Sequence, residues 1–418
     1  MKFSDFLLKI GTRWKSILLK IFPSGLLRWI KGKVIKKSFI YMQKTQIEPF
    51  CRKKYPDGIN LIGDIRAETG LGQGCRLVAD ELEASKIPYS IYLYEQLGDI
   101  REGTYTKYDS KIQKNLPYNI NLIFVNPHDL GLIFQQNHEK IWNGRYNIGF
   151  WSWELEEFPD KWTPCFHCVD EIWTPSEFIS RAIRKKTDKP VITVPYHVEV
   201  EPGSFTRKEF GLPEDKFLFL MMYDKNSITE RKNPKAVIDA YKKAFRPDEP
   251  AGLVIKCGSC DAHELGMLRK ELEGYKHVYF ITEILSREKV DSLISLVDVV
   301  VSLHRAEGFG LVMAEAMRMG TPVIATNWSS NTEFMTPDTA CMVGYKMIQL
   351  DKDYGVFPKG NWWADPNVDE AADFMQRLYL DKDLYKTLSE KGQRHIMNTL
   401  SMEKIVECIC TRVAEIYR

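Results

Sequence analysis

The stretch His304-Arg305-Ala306-Glu307-Gly308-Phe309-Gly310-Leu311-Val312-Met313-Ala314-Glu315 sets two carboxylates apart with seven residues between them and a Gly-Phe-Gly turn in the gap. The apolar run Val299-Val300-Val301 precedes it. This order predicts a strand, a flexible turn, a helix from about Leu311 to Met319 stopped by Gly320, and then the strand Pro322-Val323-Ile324-Ala325. Glu307 then lies in the loop and Glu315 just over one turn into the helix. The first helical N–H groups, at the positive end of the dipole, point at the loop mouth, where an anion such as a phosphorylated ligand fits. The competing reading is plain: surface loops often carry Glu, and Gly-rich strand-to-helix turns are common in parallel sheets.

Working outward, the same alternation recurs on both sides. Towards the carboxyl end, a helical pattern from about Asp369 to Leu378 follows Gly360-Asn361-Trp362-Trp363-Ala364-Asp365-Pro366, and an amphipathic helix from Met402 to Tyr417 ends the chain. Towards the amino end come the helix Arg287 to Leu296, the strands Val278 to Ile281, Gly252 to Lys256 and Phe217 to Met222, the loop Asp224 to Asn233 and the helix Pro234 to Phe245. Tyr196 to Glu214, rich in charge with Pro and Gly, reads as a linker. Before it lies a second series of apolar runs at Ile59 to Gly63, Tyr89 to Leu93, Ile120 to Asn126, Tyr146 to Trp151, Glu171 to Ser176 and Pro190 to Pro195. A glycine-rich turn, Gly70-Leu71-Gly72-Gln73-Gly74, leads into a helix expected from about Cys75 to Ser85, and lets another group approach the backbone closely. Continuous apolar strands alternating with helices mean parallel sheets covered on both faces. The fold class is therefore α/β: two doubly wound, Rossmann-like domains facing a cleft, with ligands at the carboxyl ends of the strands.

A length of 418 residues suits two domains, and 44% hydrophobic with 27% charged residues describes a globular chain with ample core. The net charge of +2 hides an asymmetry: residues 1–44 hold eleven Lys or Arg against Asp5 alone. Apolar residues at three- and four-residue steps through residues 1–22 make this a basic amphipathic helix, broken at Pro23-Ser24-Gly25 and followed by a second basic segment. Such a segment suits the surface of an anionic membrane; packing on its own domain or on a partner is the alternative. No apolar run spans a bilayer. Nine scattered cysteines argue for a reducing compartment, and the pairs Cys165/Cys168 and Cys257/Cys260 are too far apart in the chain for one shared zinc site.

Arg231 and Lys232 are the cations for a bound phosphate, one a bidentate fork and the other a compact charge. Alone they would read as a solvated basic turn. With them, Ser227-x-x-x-Arg231-Lys232-Asn233-Pro234, the Glu307 to Met317 stretch and Gly320-Thr321-Pro322-Val323-Ile324-Ala325-Thr326 resemble the retaining glycosyltransferases of family 4, which have the GT-B fold. Gly70-Leu71-Gly72 before Arg76, Trp153-Glu154-Leu155 with Phe158-Pro159, and Glu171 to Ser176 add to the resemblance, which covers about residues 58–418. It implies an acceptor-side domain over 58–200, a nucleotide-sugar-binding domain over 212–395 and a C-terminal helix over 400–418 that packs back on the first domain.

The resemblance also implies roles. Glu315 holds the ribose hydroxyls and Glu307 lies by the donor sugar. Gly308, Phe309, Gly310, Leu311 and Val312 touch sugar and diphosphate, and Arg231 and Lys232 neutralise the leaving diphosphate. Relatives often carry an Arg at the position of Ser227. The segment Tyr279 to Leu285, with Ile284 in it, frames the base, and Gly72 joins the donor-contacting set from the first domain. Many relatives place a first-domain His by the donor sugar; here Glu154 occupies that region, with His128 and His167 as alternatives, and a structural hydrogen bond is the competing role for Glu154. The expectation is metal-independent, retaining transfer of a hexosyl group from a UDP- or GDP-sugar to a saccharide, including a lipid-linked one, for cell-envelope polysaccharide. No cofactor and no nucleic acid are expected, and the place is the cytoplasmic face of the membrane. A non-catalytic nucleotide-sugar-binding scaffold, a sugar-nucleotide epimerase and a pyridoxal-phosphate-dependent phosphorylase are the rivals.

Overall fold

The computed structural model describes residues 24–94, 103 and 105–418. Among them, two six-stranded sheets are parallel throughout. The first has the order β2-β1-β3-β4-β5-β6, from β1 (Ile59–Gly63), β2 (Tyr89–Leu93), β3 (Ile120–Ile123), β4 (Tyr146–Phe150), β5 (Glu171–Thr174) and β6 (Val191–Thr193). The second has the order β12-β11-β10-β7-β8-β9, from β7 (Phe217–Asp224), β8 (Ala251–Gly258), β9 (Val278–Ile281), β10 (Val299–Ser302), β11 (Val323–Thr326) and β12 (Cys341–Val343). Both sheets are doubly wound, and β1, β3 and β11 are buried along their whole length, as continuous apolar runs require. An antiparallel pair, β13 (Tyr345–Gln349) and β14 (Trp362–Pro366), was not foreseen. It buries Trp363 and leaves Trp362 about half exposed, so these tryptophans are a strand's two faces.

The basic leader divides. Its first amphipathic stretch lies outside the described residues. The next part is a helix, α1 (Ser24–Lys44), whose carboxyl half belongs to the first domain. Ser38, Phe39 and Met42 are buried there against α3 (Pro127–Ile141), and a Cβ on Gly131 would come within 2.6 Å of the Phe39 ring. Leu26, Trp29 and Ile30 at the other end are exposed. No helix among the described residues is long and apolar enough to cross a membrane.

The helix expected from Cys75 begins earlier. Thr69 caps α2 (Gly70–Ser85) by accepting the Gly72 N–H at 3.0 Å, so the glycine-rich run is the first turn of the helix. A Cβ on Gly72 would sit 2.0 Å from the Ala67 carbonyl oxygen; the close approach the glycine permits is made by the chain's own loop. Arg76, also buried, donates to the carbonyls of Ile65 and Ala67 and fixes that loop.

The last helix, α12 (Met402–Ile416), lies on α2, and Arg412 forks onto the buried carboxylate of Glu171 at 3.0 Å. Tyr417 donates to Asn119 and accepts the Gly58 N–H. Val198, in the linker, donates to the Leu400 carbonyl at 3.0 Å, so linker and terminal helix cross between domains together.

One row of side chains runs against strand propensity. Ser90, Asn60, Asn121 and Asn147 are in register across β2, β1, β3 and β4, and all are buried. Asn60 donates to Asn121 at 2.9 Å, Asn121 donates to Asn147 at 2.8 Å, and Ser90 donates to Asn60 at 3.2 Å. Asparagine is depleted in strands, and its amide is tolerated here because the neighbouring strand completes it. Asn121→Leu takes from the Asn60 amide one of its two acceptors, the Tyr118 carbonyl remaining, and leaves the Asn147 amide oxygen without its donor. It should cost about 2–4 kcal/mol of stability in urea unfolding, against under about 1 kcal/mol for an exposed polar site.

Candidate active site

The carboxyl ends of β7 and β10 lie side by side, and their loops meet over one carboxylate. Glu307 accepts from the Lys232 ammonium at 2.5 Å, and its other oxygen is 3.6 Å from the Arg231 guanidinium. Lys232 and Arg231 close a single helical turn, α5 (Thr229–Lys232), followed by α6 (Pro234–Ala244) with its proline at the start. Arg231 is buried; it donates to the Ala306 carbonyl at 2.9 Å and to the Ser227 hydroxyl at 2.7 Å, while its Nε has no partner among the described residues. Ser227 therefore positions the guanidinium that reaches back to it.

The backbone around these groups is held in unusual conformations. Ile228, Asn233 and Ser329 have φ of 63°, 54° and 73°, all positive without glycine. Ser329 Oγ accepts the Glu307 N–H at 3.0 Å, and Ser330 donates to the Glu307 carbonyl at 2.5 Å. Arg305 forks onto Asp365 of β14 and donates to the Glu230 carbonyl, tying the loop to the antiparallel pair. His304 is fully buried and bonded to Asn331 and the Trp328 carbonyl; burial lowers its pKa. Nothing in the local pattern of Ser329, Ser330 and Asn331 marks them as part of this site. Their place directly after the strand Val323–Thr326 was the available signal.

Burial alone would raise the Glu307 carboxyl, but the charges of Lys232 and Arg231 overcome it and hold it well below the usual range. Burial in turn lowers the Lys232 ammonium, against the pull of Glu307. Glu154 goes the opposite way: burial raises its carboxyl despite Arg231. It comes from the loop after β4, and a Cβ on Gly308 would be 3.5 Å from its Cγ and 3.3 Å from the Trp153 carbonyl oxygen. Glu154 is thus the first-domain carboxylate facing the Glu307 loop. His167 instead bonds the Thr45 carbonyl at the end of α1, away from this loop, and His128 sits at the start of α3 beside Asp129.

Gly308 gives its carbonyl to Ser176 of the first domain at 3.0 Å. Phe309 is buried edge-on against Tyr196 of the linker, with centroids 5.0 Å apart, so its ring anchors the turn between the domains. Gly310, at φ 99°, precedes α9 (Leu311–Arg318), whose amino end has no side-chain cap, so Leu311 and Val312 present open amides. Glu315, in the middle of α9, is also buried. One of its oxygens is 2.8 Å from Arg287 and the other has no partner among the described residues. Arg287 begins α8 (Arg287–Leu296) and is shared with Asp291; this pairing had no signature in the sequence. Ile284 is exposed in the loop after β9. Gly72 stays with the first-domain loop described above. Among the described residues, Cys257, Cys260 and Glu264 bring ligand atoms within 4.8 Å of one another on the second domain, while Cys165 and Cys168 are buried in the first, so the two cysteine pairs share no site.

Because the folded Glu307 carboxyl lies below its ordinary value near 4.5, the pairing stabilises the fold above that pH and is lost as pH falls towards the folded value. Glu307→Gln, which leaves the buried Arg231 and the partly buried Lys232 without their carboxylate, should lose about 3 kcal/mol at neutral pH. Its unfolding free energy should fall less steeply than the parent's between pH 5 and 3, as urea unfolding across about that range will read.

Residues 204–395 match the family model described as glycosyl transferases group 1. Over 121 residues the chain is 31% identical to the O-antigen biosynthesis glycosyltransferase WclY of Escherichia coli, a match covering 29% of this chain and 31% of that protein. HepE of Anabaena, solved with UDP-glucose, superposes with a TM-score of 0.65 at 12% identity, over 86% of this chain and 100% of that one. Sucrose-phosphate synthase of Thermosynechococcus elongatus gives 0.63 at 16% identity, over 87% and 99%. The chain has the GT-B fold, and its second domain matches the group 1 glycosyl transferases.

Proposed function

We propose that this protein is a retaining glycosyltransferase that moves a hexosyl group from a nucleotide diphosphate sugar to a saccharide acceptor. The observation that carries the reading is the Lys232–Glu307–Arg231 set, largely shielded from solvent at the strand ends of the second domain. Breaking a glycosyl–phosphate bond leaves negative charge on the departing oxygens and positive charge on the ring. Lys232 and the free Nε of Arg231 face the first charge, and Glu307 faces the second. Two fixed cations supply the neutralisation that a divalent ion supplies in other transferases, so the reaction is proposed to run without a metal.

The bound donor lies with its ribose hydroxyls on the unpartnered oxygen of Glu315, its diphosphate at the open amides of Leu311 and Val312, and its base by Ile284. The acceptor hydroxyl attacks the anomeric carbon on the face the diphosphate leaves, and its proton passes to a departing phosphate oxygen. The raised carboxyl of Glu154 faces the sugar from the first domain and hydrogen-bonds it. The relatives' names support a saccharide acceptor in polysaccharide synthesis. Exposed Leu26, Trp29 and Ile30 on a basic helix support work at the inner face of the membrane, on a lipid-linked acceptor.

A thermal-shift screen of UDP-, GDP-, ADP- and dTDP-sugars identifies the donor; no shift with any of them contradicts the reading. With that donor, Lys232→Ala should lower kcat by about 10²-fold or more. Glu315→Ala should act chiefly on donor KM, and NMR of the product should show the donor's anomeric configuration. Near-normal turnover by Lys232→Ala, or an inverted product, contradicts the mechanism.

A further inference from the structure

The motif Cys257-Gly258-Ser259-Cys260 closes β8 and has no part in the site described above. Ser259, at φ 57°, turns the chain so that the second cysteine comes back towards the first. Asp261 then caps α7 (Ala262–Glu271) by accepting the Glu264 N–H at 2.8 Å, and this first turn brings Glu264 to the same place. Among the described residues, the two Sγ atoms and a Glu264 carboxylate oxygen lie within 4.8 Å of one another, and no other three such ligands gather so closely. Cys257 is buried, while Cys260 and Glu264 are half-buried, so an ion can reach the cluster. The other pair differs: Cys165 and Cys168 are both buried and donate to the carbonyls of Pro127 and Cys165, with no third ligand gathered beside them among the described residues.

Glu264 adds a second, independent sign of a ligand. Its Oε1 accepts the hydroxyls of Tyr223 at 3.0 Å and Thr229 at 3.3 Å. Its Oε2 is shut off from solvent and accepts no hydrogen bond among the described residues; Lys225, 3.4 Å from it, is paired with Asp261. A buried carboxylate oxygen without a donor calls for a further group, and beside two thiols the fitting one is a cation. Lys225 is partly exposed, and a pair of that kind is worth little, so it yields to an arriving ion. Two thiolates with one carboxylate select a borderline or soft ion such as zinc over magnesium or calcium, which take oxygen donors. Thr229 begins α5, the turn that ends in Arg231 and Lys232, so an ion on Glu264 braces the turn bearing both cations through one hydrogen bond.

We propose that Cys257, Cys260 and Glu264 bind one zinc-class divalent ion, with water as the fourth ligand, which braces α5 and takes no part in the reaction. Binding releases the two thiol protons to solvent as two sulfur–metal bonds form. The proposal stands independently of the transferase reading. The test is cobalt(II) titration of the full chain, reduced and stripped with a chelator, followed by absorbance. At a single equivalent the parent should show thiolate-to-cobalt charge transfer and the strong visible bands of a tetrahedral ion, and zinc should remove them. Cys260→Ser should weaken binding by about 10²-fold and Glu264→Gln by about ten-fold. In the parent, zinc should also protect Cys260, but not the exposed Cys51, from alkylation, a readout that needs no variant. Absence of the cobalt–thiolate bands, equal bands in the parent and Cys260→Ser, or alkylation of Cys260 unchanged by zinc overturns the site.

Discussion

A single partly buried carboxylate, that of Glu307, holds two cations, the buried Arg231 and the partly buried Lys232, at the point where the central strands of the second sheet end. Taking three charges out of water is costly, and attraction within the set only partly offsets that cost. Such a cluster is poor scaffolding. It makes physical sense as a site prepared for a further anion, because the cations are already desolvated and oriented, so an arriving phosphate meets fixed charge rather than mobile side chains. Glu307 keeps them in place until then.

The surroundings serve that arrangement. Three non-glycine residues with positive φ flank it, and Ser329 and Ser330 grip the Glu307 backbone from the neighbouring strand's loop. Arg305 ties the loop to β14, and Phe309 and the Gly308 carbonyl dock it onto the first domain and the linker. The two facing carboxyls are shifted in opposite directions: burial raises Glu154, whereas the charges of Lys232 and Arg231 overcome burial and lower Glu307.

Much of this was legible in the residues. Period and punctuation delivered the parallel strands, the linker and the short helix between Gly310 and Gly320, because buried strands and capped helices impose local patterns. Arg231, Lys232, Glu307 and Glu315 stood out because charge beside Gly-rich turns at strand ends is chemically pointed. What stayed hidden is what only the third dimension brings together. Asn121 is a poor strand residue until Asn60 and Asn147 lie beside it. Arg287 looks like an ordinary first-turn arginine until it meets Glu315, 28 positions later. Gly72 reads as a ligand-facing glycine, whereas its missing Cβ makes room for Ala67. Phe39 and Met42 read as one more amphipathic stripe, whereas Gly131 of another helix makes room for the Phe39 ring.

The central claim is that Lys232 and Arg231 receive the donor's diphosphate. Phosphorus-31 NMR of the nucleoside diphosphate that binds, titrated with parent and with Lys232→Met, tests it at the atoms concerned. The account predicts that the β-phosphorus resonance moves on binding to the parent and that the movement is largely lost in the variant. A β-phosphorus shift of equal size in both proteins, at matched occupancy, would contradict it.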